Sequence, residues 1–185
     1  MAHTESTMLP LGTIAPDFAL TDVVREQIVH RDDFQGQKAL LVMFICAHCP
    51  FVKHIEKELA KIGADYSGHP LGIAAITSND AETHPADSPE GSKQQALALG
   101  FPFPYLYDET QEVAKAYQAA CTPDFFLFDA DFRLVYRGQF DASRPGNNIP
   151  VTGEDLRAAI DAVLDGRPVP ADQRASIGCD IKWKA

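Results

Sequence analysis

Residues 39 to 45 read Ala-Leu-Leu-Val-Met-Phe-Ile, without a polar side chain. Such a run fits a central strand buried on both faces, and Cys46 ends it. Ahead of it, Phe18 to Asp22 and Gln27 to Arg31 are short strand-like stretches about a polar turn, which predicts a hairpin. The segment Phe34-Gln-Gly36-Gln37 breaks the pattern before the central strand. From Pro50 onward, Phe51, Val52, Ile55, Leu59 and Ile62 recur at helical spacing, with Lys53, Glu56, Lys57 and Lys61 on the opposite face. That spacing predicts an amphipathic helix starting at the cysteines.

Leu71 to Thr77 reads as a second buried strand, and Ser92 to Leu99 as a short helix stopped by Gly100. The long loop between them, Ser78 to Gly91, carries Asp80, Glu82, Asp87 and Glu90, and its length marks it as functional or mobile. Gln111 to Ala120 has a helical pattern, with Asp108 or Thr110 as cap. Phe125 to Phe128 and Arg133 to Arg137 form a second predicted hairpin through Asp129-Ala-Asp131. Thr152 opens a last helix as an acidic capping box with Asp155, and Leu156, Ile160, Val163 and Leu164 form its stripe. The order of elements predicts an α/β fold, a mixed sheet with helices on both faces. Residues 1–9 are expected to be a flexible N-terminus, 10–167 the domain, and 168–185 a tail packed on it through Ile177, Ile181 and Trp183.

Composition narrows the function. A chain of 185 residues, 45% apolar and 23% charged, suits one domain with its own core. No stretch approaches the roughly 18 apolar residues of a membrane helix, and the polar start Met1 to Thr7 lacks the regions of a secretion signal. If the chain is complete, a cytoplasmic location is expected. With 26 acidic against 16 basic residues and a formal charge of -10, nucleic acid and anionic membranes are excluded as natural partners. Four cysteines are too few for a disulfide-stapled scaffold; in a reducing compartment they point to redox or metal chemistry.

The chemistry concentrates in Cys46-Ala47-His48-Cys49. Two cysteines in the first turn of a helix can close a disulfide with little backbone movement. The amides and partial positive charge at that end favour a thiolate on the outer residue. Cys46 is therefore the expected nucleophile, and Cys49 the resolving thiol. His48 can donate a hydrogen bond or charge to the Cys46 thiolate, which would bias the pair toward an oxidising potential. The competing use is metal ligation, with His54, Cys121 and Cys179 available to complete a zinc site although no second CxxC exists. Asn79, Asp80 and Asp87 fit either a cation site or an ordinary solvated acidic loop. Lys53 and His54 could steer thiol substrates, whereas His30, His69 and His84 have no convergent partners and receive no role.

Four segments together carry a resemblance over residues 10 to 166: Gly12-Thr-Ile-Ala-Pro-Asp-Phe-Ala-Leu20, Phe34-Gln-Gly36, the CxxC, and Cys121-Thr-Pro-Asp-Phe-Phe-Leu-Phe-Asp129. The chain resembles the thioredoxin-fold redoxins of the alkyl hydroperoxide reductase/thiol-specific antioxidant group. The resemblance implies a thioredoxin-like three-layer sandwich with an N-terminal β-hairpin extension and no bound cofactor. It also implies a cis Thr122-Pro123 bond facing the cysteines, with the exposed backbone of Thr122 binding a substrate strand beside Cys46. The expected activity is thiol-disulfide exchange, more oxidising than thioredoxin, with protein or small-thiol partners and a thioredoxin or glutathione system as reductant. An antioxidant peroxidase using Cys46 and a copper- or zinc-binding metallochaperone-like redoxin are the alternatives. Against peroxidase chemistry, Ala39 and Met43 stand where the peroxidatic motif has Pro and Thr. Met43 also occupies the place of the buried acid of thioredoxins. Cys121, two residues before Pro123, is either a third redox thiol or an inert buried one; Cys179 fits a packed tail thiol or a disulfide partner.

Overall fold

The computed structural model describes residues 3–185. In chain order its strands are β1 (His3–Glu5), β2 (Ala19–Asp22), β3 (Ile28–His30), β4 (Ala39–Phe44), β5 (Leu71–Thr77), β6 (Tyr105–Tyr107), β7 (Cys121–Thr122), β8 (Asp124–Asp129), β9 (Leu134–Tyr136) and β10 (Ile177–Asp180). The helices are α1 (Pro50–Asp65), α2 (Pro89–Leu99), α3 (Glu112–Ala116) and α4 (Glu154–Leu164). Seven strands form one mixed sheet in the order β3-β2-β6-β5-β4-β8-β9, and β1-β10-β7 form a second, small one.

The apolar run takes the centre of the large sheet. β4 pairs in parallel with β5 and antiparallel with β8, and all six of its residues are buried. Side-chain alternation then divides the core. Leu41 and Met43 face Val52, Ile55 and Leu59 of α1 and Leu156 and Ile160 of α4. Leu40, Val42 and Phe44 face Tyr117, Phe126, Phe128 and Ala114 of α3. The result is a thioredoxin-like three-layer α/β sandwich, with the β2–β3 hairpin as its N-terminal extension. Among the described residues, no helix is long and apolar enough to cross a membrane.

Several elements depart from the sequence pattern. β6 was not expected, because three residues show no period; it is recruited by parallel pairing with β5. α2 begins three residues early, since Ser88 caps it by accepting the Gly91 amide at 3.1 Å with Pro89 in the first turn. α3 is shorter than predicted and starts from Gln111 in a left-handed conformation, while Asp108 accepts the amides of Val113 and Ala114. The capping box at Thr152 does not form. Gly153 precedes α4 instead, Asp141 takes the amides of Thr152 and Gly153, and Asp155 turns to Gln139. The N-terminus expected to be flexible through residue 9 also needs correction: His3–Glu5 pairs with β10, and Leu9 is buried. Met1 and Ala2 lie outside the described residues.

Candidate active site

Cys46 leaves the end of β4, and Cys49 is the N-cap of α1, whose first residue is Pro50. The strand and the helix thus aim both sulfurs at one point, where both are buried. Opposite them stands Thr122, joined to Pro123 by a cis peptide bond. Cys46 Sγ lies 3.4 Å from the Thr122 hydroxyl, and Cys49 Sγ lies 3.3 Å from the Thr122 carbonyl oxygen. The resemblance implied an exposed Thr122 backbone; in the structure it is buried, because β10 covers it with Cys179 directly opposite Thr122. The sulfur of Cys179 lies 2.8 Å from that of Cys49.

Cys121 takes a different place. Its Sγ donates to the Pro123 carbonyl at 3.6 Å, and burial followed by the nearby Asp124 carboxylate drives its pKa far up. The thiol the fold sets against the pair is Cys179.

The second wall comes from the acidic loop. Asp87 is fully buried, in contrast to an ordinary solvated acid. One of its oxygens accepts the amides of Ala47 and His48 at 2.7 and 3.1 Å; the other pairs with His48 Nδ1 and accepts from Asn79 Nδ2 at 3.0 Å. These donors outweigh burial and hold the Asp87 pKa below its usual value. The loop reaches inward because a short turn at Pro85–Asp87 abuts α2 at Gly91, where a Cβ would lie 2.1 Å from the Ala86 carbonyl oxygen. His48 also stacks on His84, with ring centroids 4.9 Å apart. Gln95 Nε2 donates to the Cys46 carbonyl at 3.2 Å, which ties α2 to the cysteine-bearing connection between β4 and α1.

The sulfurs share protons unequally. As a thiol, Cys49 can donate to Thr122 O; once ionised, it accepts S–H donation from Cys46 and Cys179 and the amide of Val52 at the start of α1. The Cys46 bond is the largest of these effects, and together they overcome burial to lower Cys49 to about 4. Cys46 is correspondingly raised well above its usual value, by that shared proton first, then by burial and the Asp87 charge. Burial, then donation to Cys49, pushes Cys179 up to about 12. The donors that favour a thiolate therefore converge on Cys49 and the opposing carboxylate on Cys46, the reverse of the order expected from the helix end alone. His48, the expected partner of the Cys46 thiolate, is bound to Asp87.

Of the metal ligands considered in the sequence, only Cys179 meets the pair among the described residues; Cys121 and His54 are engaged elsewhere. His54 bonds Ser143 at 2.7 Å, and Lys53 is exposed. The cluster that does form is Cys46, His48 and Asp87, whose ligand atoms all lie within 4.8 Å of one another. The sequence placed neither Asp87, Asn79 nor His84 at the centre, and offered Cys179 only as a zinc ligand, a packed tail thiol or a disulfide partner. For Cys179 a signal existed, since it alternates with the apolar Ile177 and Ile181; for Asp87 none did.

Residues 11–137 match the AhpC/TSA family. The thiol-disulfide oxidoreductase ResA of Geobacillus kaustophilus is 30% identical over 129 residues, covering 68% of this chain and 67% of that protein. Among solved structures, an uncharacterized conserved protein from Geobacillus kaustophilus superposes with a TM-score of 0.97 at 60% identity, covering 100% of this chain and 97% of that one. A hypothetical protein from Sinorhizobium meliloti gives 0.96 at 52% identity, covering 98% and 99%. A putative thiol:disulfide interchange protein DsbE from Chlorobium tepidum gives 0.64 at 22% identity over 84% and 99%, a likeness of fold.

Proposed function

The chain belongs to the AhpC/TSA family, and on that premise we propose that it is a thiol-disulfide oxidoreductase cycling Cys46 and Cys49 between dithiol and disulfide. The observation that carries this reading is the meeting of Cys46, Cys49 and Thr122 where β4 ends and α1 begins. In the reducing direction, a thiolate of the pair attacks a partner disulfide and forms a mixed disulfide at Cys46. Cys49 then attacks Cys46, the second partner thiol leaves, and two electrons have passed to the partner. Proton movement from Cys46 to the Cys49 thiolate charges Cys46 for the first step. The partners proposed are protein or small-thiol disulfides, with a thioredoxin or glutathione system restoring the dithiol. A carboxylate beside Cys46 weakens the case for a potential more oxidising than thioredoxin, because it opposes the Cys46 thiolate.

The test is alkylation and mass mapping across a series of glutathione potentials. We expect one two-electron couple, abolished in Cys49→Ser, with the Cys46–Cys49 disulfide absent in Cys46→Ser; a reduced and an oxidised protein with identical thiol maps would sink the reading. Peroxide consumption that needs Cys46 and an added dithiol would move the activity to the peroxidase alternative. A second reading is favoured by the sulfur, nitrogen and oxygen donors of Cys46, His48 and Asp87, which suit zinc better than soft Cu(I). It requires stoichiometric zinc that is lost in Asp87→Asn.

A further inference from the structure

The tail strand is seated on the centre by more than one bond. β10 runs antiparallel to β7, with Cys179 opposite Thr122 and Asp180 opposite Cys121. Ser176 Oγ donates to the Pro123 carbonyl at 2.6 Å, and the Ile181 amide donates to the Ala120 carbonyl at 3.1 Å. Gly178 crosses Thr122 so closely that a Cβ would lie 1.9 Å from the Thr122 carbonyl oxygen. Beyond the strand, the Lys182 amide donates to Asn79, the residue that also holds Asp87. The chain's own tail thus lies where an extended peptide would add to the edge at Thr122, and it carries a cysteine there. Cys179 Sγ is 2.8 Å from Cys49 Sγ, so an approach of less than about 1 Å would bring the two to bonding distance.

We propose that Cys179 is a third redox-active thiol, and that the disulfide made between Cys46 and Cys49 passes on to Cys49 and Cys179. The proposal rests on the thiol-disulfide reading of the centre. In the step, Cys179 loses its proton and its sulfur attacks Cys49 Sγ. The Cys49–Cys179 bond forms as the Cys46–Cys49 bond breaks, and Cys46 leaves as a thiolate that takes up the proton. No electrons enter or leave; one disulfide is relocated among three sulfurs. Cys46 is thereby returned to the thiol form beside the Thr122 hydroxyl, and the tail becomes covalently fastened over the strand edge.

Tryptic mapping of the full chain after oxidation at set glutathione potentials, with acid quenching and alkylation, separates the two disulfides. Cys46 and Cys49 share the peptide spanning 39–53, whereas Cys179 lies in 175–182. A Cys46–Cys49 disulfide leaves one peptide lighter by a pair of hydrogens, while a Cys49–Cys179 disulfide joins the two peptides. We expect the joined pair as the major oxidised species of the unaltered protein and of Cys121→Ser, with fragmentation placing the bond at Cys49. In Cys179→Ser the joined pair should be lost while the Cys46–Cys49 disulfide still closes. If the unaltered protein yields only the internal 39–53 disulfide at every potential, the relay is overturned and the thiol-disulfide reading survives. If Cys46 and Cys49 pair in neither protein, both fall.

Discussion

On one side of Cys46 and Cys49 stands the loop that carries Asp87; on the other stand Thr122, the tail strand and, behind Thr122, Asp124. Each side contains a buried carboxyl group, and the two groups differ in charge. Asp87 is met by two amides, an imidazole and an amide side chain, and its pKa is lowered. Asp124 accepts the Ala120 amide at 3.1 Å, but its Oδ1 has no hydrogen bond among the described residues. Burial therefore dominates and raises Asp124 to about 7. Burial pushes both carboxyls up; donors outweigh it at Asp87, whereas at the more deeply enclosed Asp124 it outweighs the amides of Ala120, Cys121 and Phe125. The same contrast separates the cysteines, since Cys49 collects donors while Cys46 faces a negative charge.

The largest expected effect comes from removing the titrating carboxyl on the tail side. The folded pKa of Asp124 lies above its ordinary value, so its favourable contribution is complete below about pH 3.8 and lost as pH rises through about 7. By linkage, a carboxyl shifted from 3.8 to about 7 costs roughly 4 kcal/mol at pH 8 but only about 1.5 kcal/mol at pH 5. Asp124→Asn should therefore shrink the fall in urea-derived stability between pH 5 and pH 8 by about 2–3 kcal/mol. An unchanged fall would mean that Asp124 is already charged.

Next comes the seating of the tail. Gly178→Ala forces a Cβ against the Thr122 carbonyl, and overpacking of this kind costs about 2 kcal/mol. The chain's single tryptophan, Trp183, lies on the same tail with Lys115 Nζ 5.7 Å from its ring centroid. Its emission should shift with the urea midpoint; a shift in neither would show that the tail is not held at Thr122.

The smallest effect concerns the loop side. Asp87→Asn weakens charge-assisted bonds worth about 1–2 kcal/mol in sum. The loss should be full at neutral pH and vanish in acid, because a lowered pKa gives stability above the unfolded value and loses it as pH falls through the folded one. The same change should move the pH profile of Cys46 alkylation to lower pH, since the carboxylate that raises that thiol is gone. A shift to higher pH would reverse the account of this wall.

Elements with a strong period could be read from the chain. The continuous run of β4, the alternating faces of α1 and the turn residues of the hairpins carry their own signal, and the structure forms all of them. β6 could not be read that way, because its place depends on β5 beside it. The cysteine spacing and Thr122-Pro123 were visible as motifs. The walls around them were not, for a loop aspartate has no local mark of burial, and Cys179 lies 130 residues from the sulfur it meets.

What the sequence determined by itself is therefore a sheet centred on residues 39–44 and a helix that begins at a cysteine pair, because period and capping act between near neighbours. The assembled fold alone settles which sulfur the surrounding donors favour and which thiol stands third. Both depend on donors and charges delivered from the loop at Asp87 and the strand at Cys179, and electrostatics in a buried site follows distance in space, not separation along the chain.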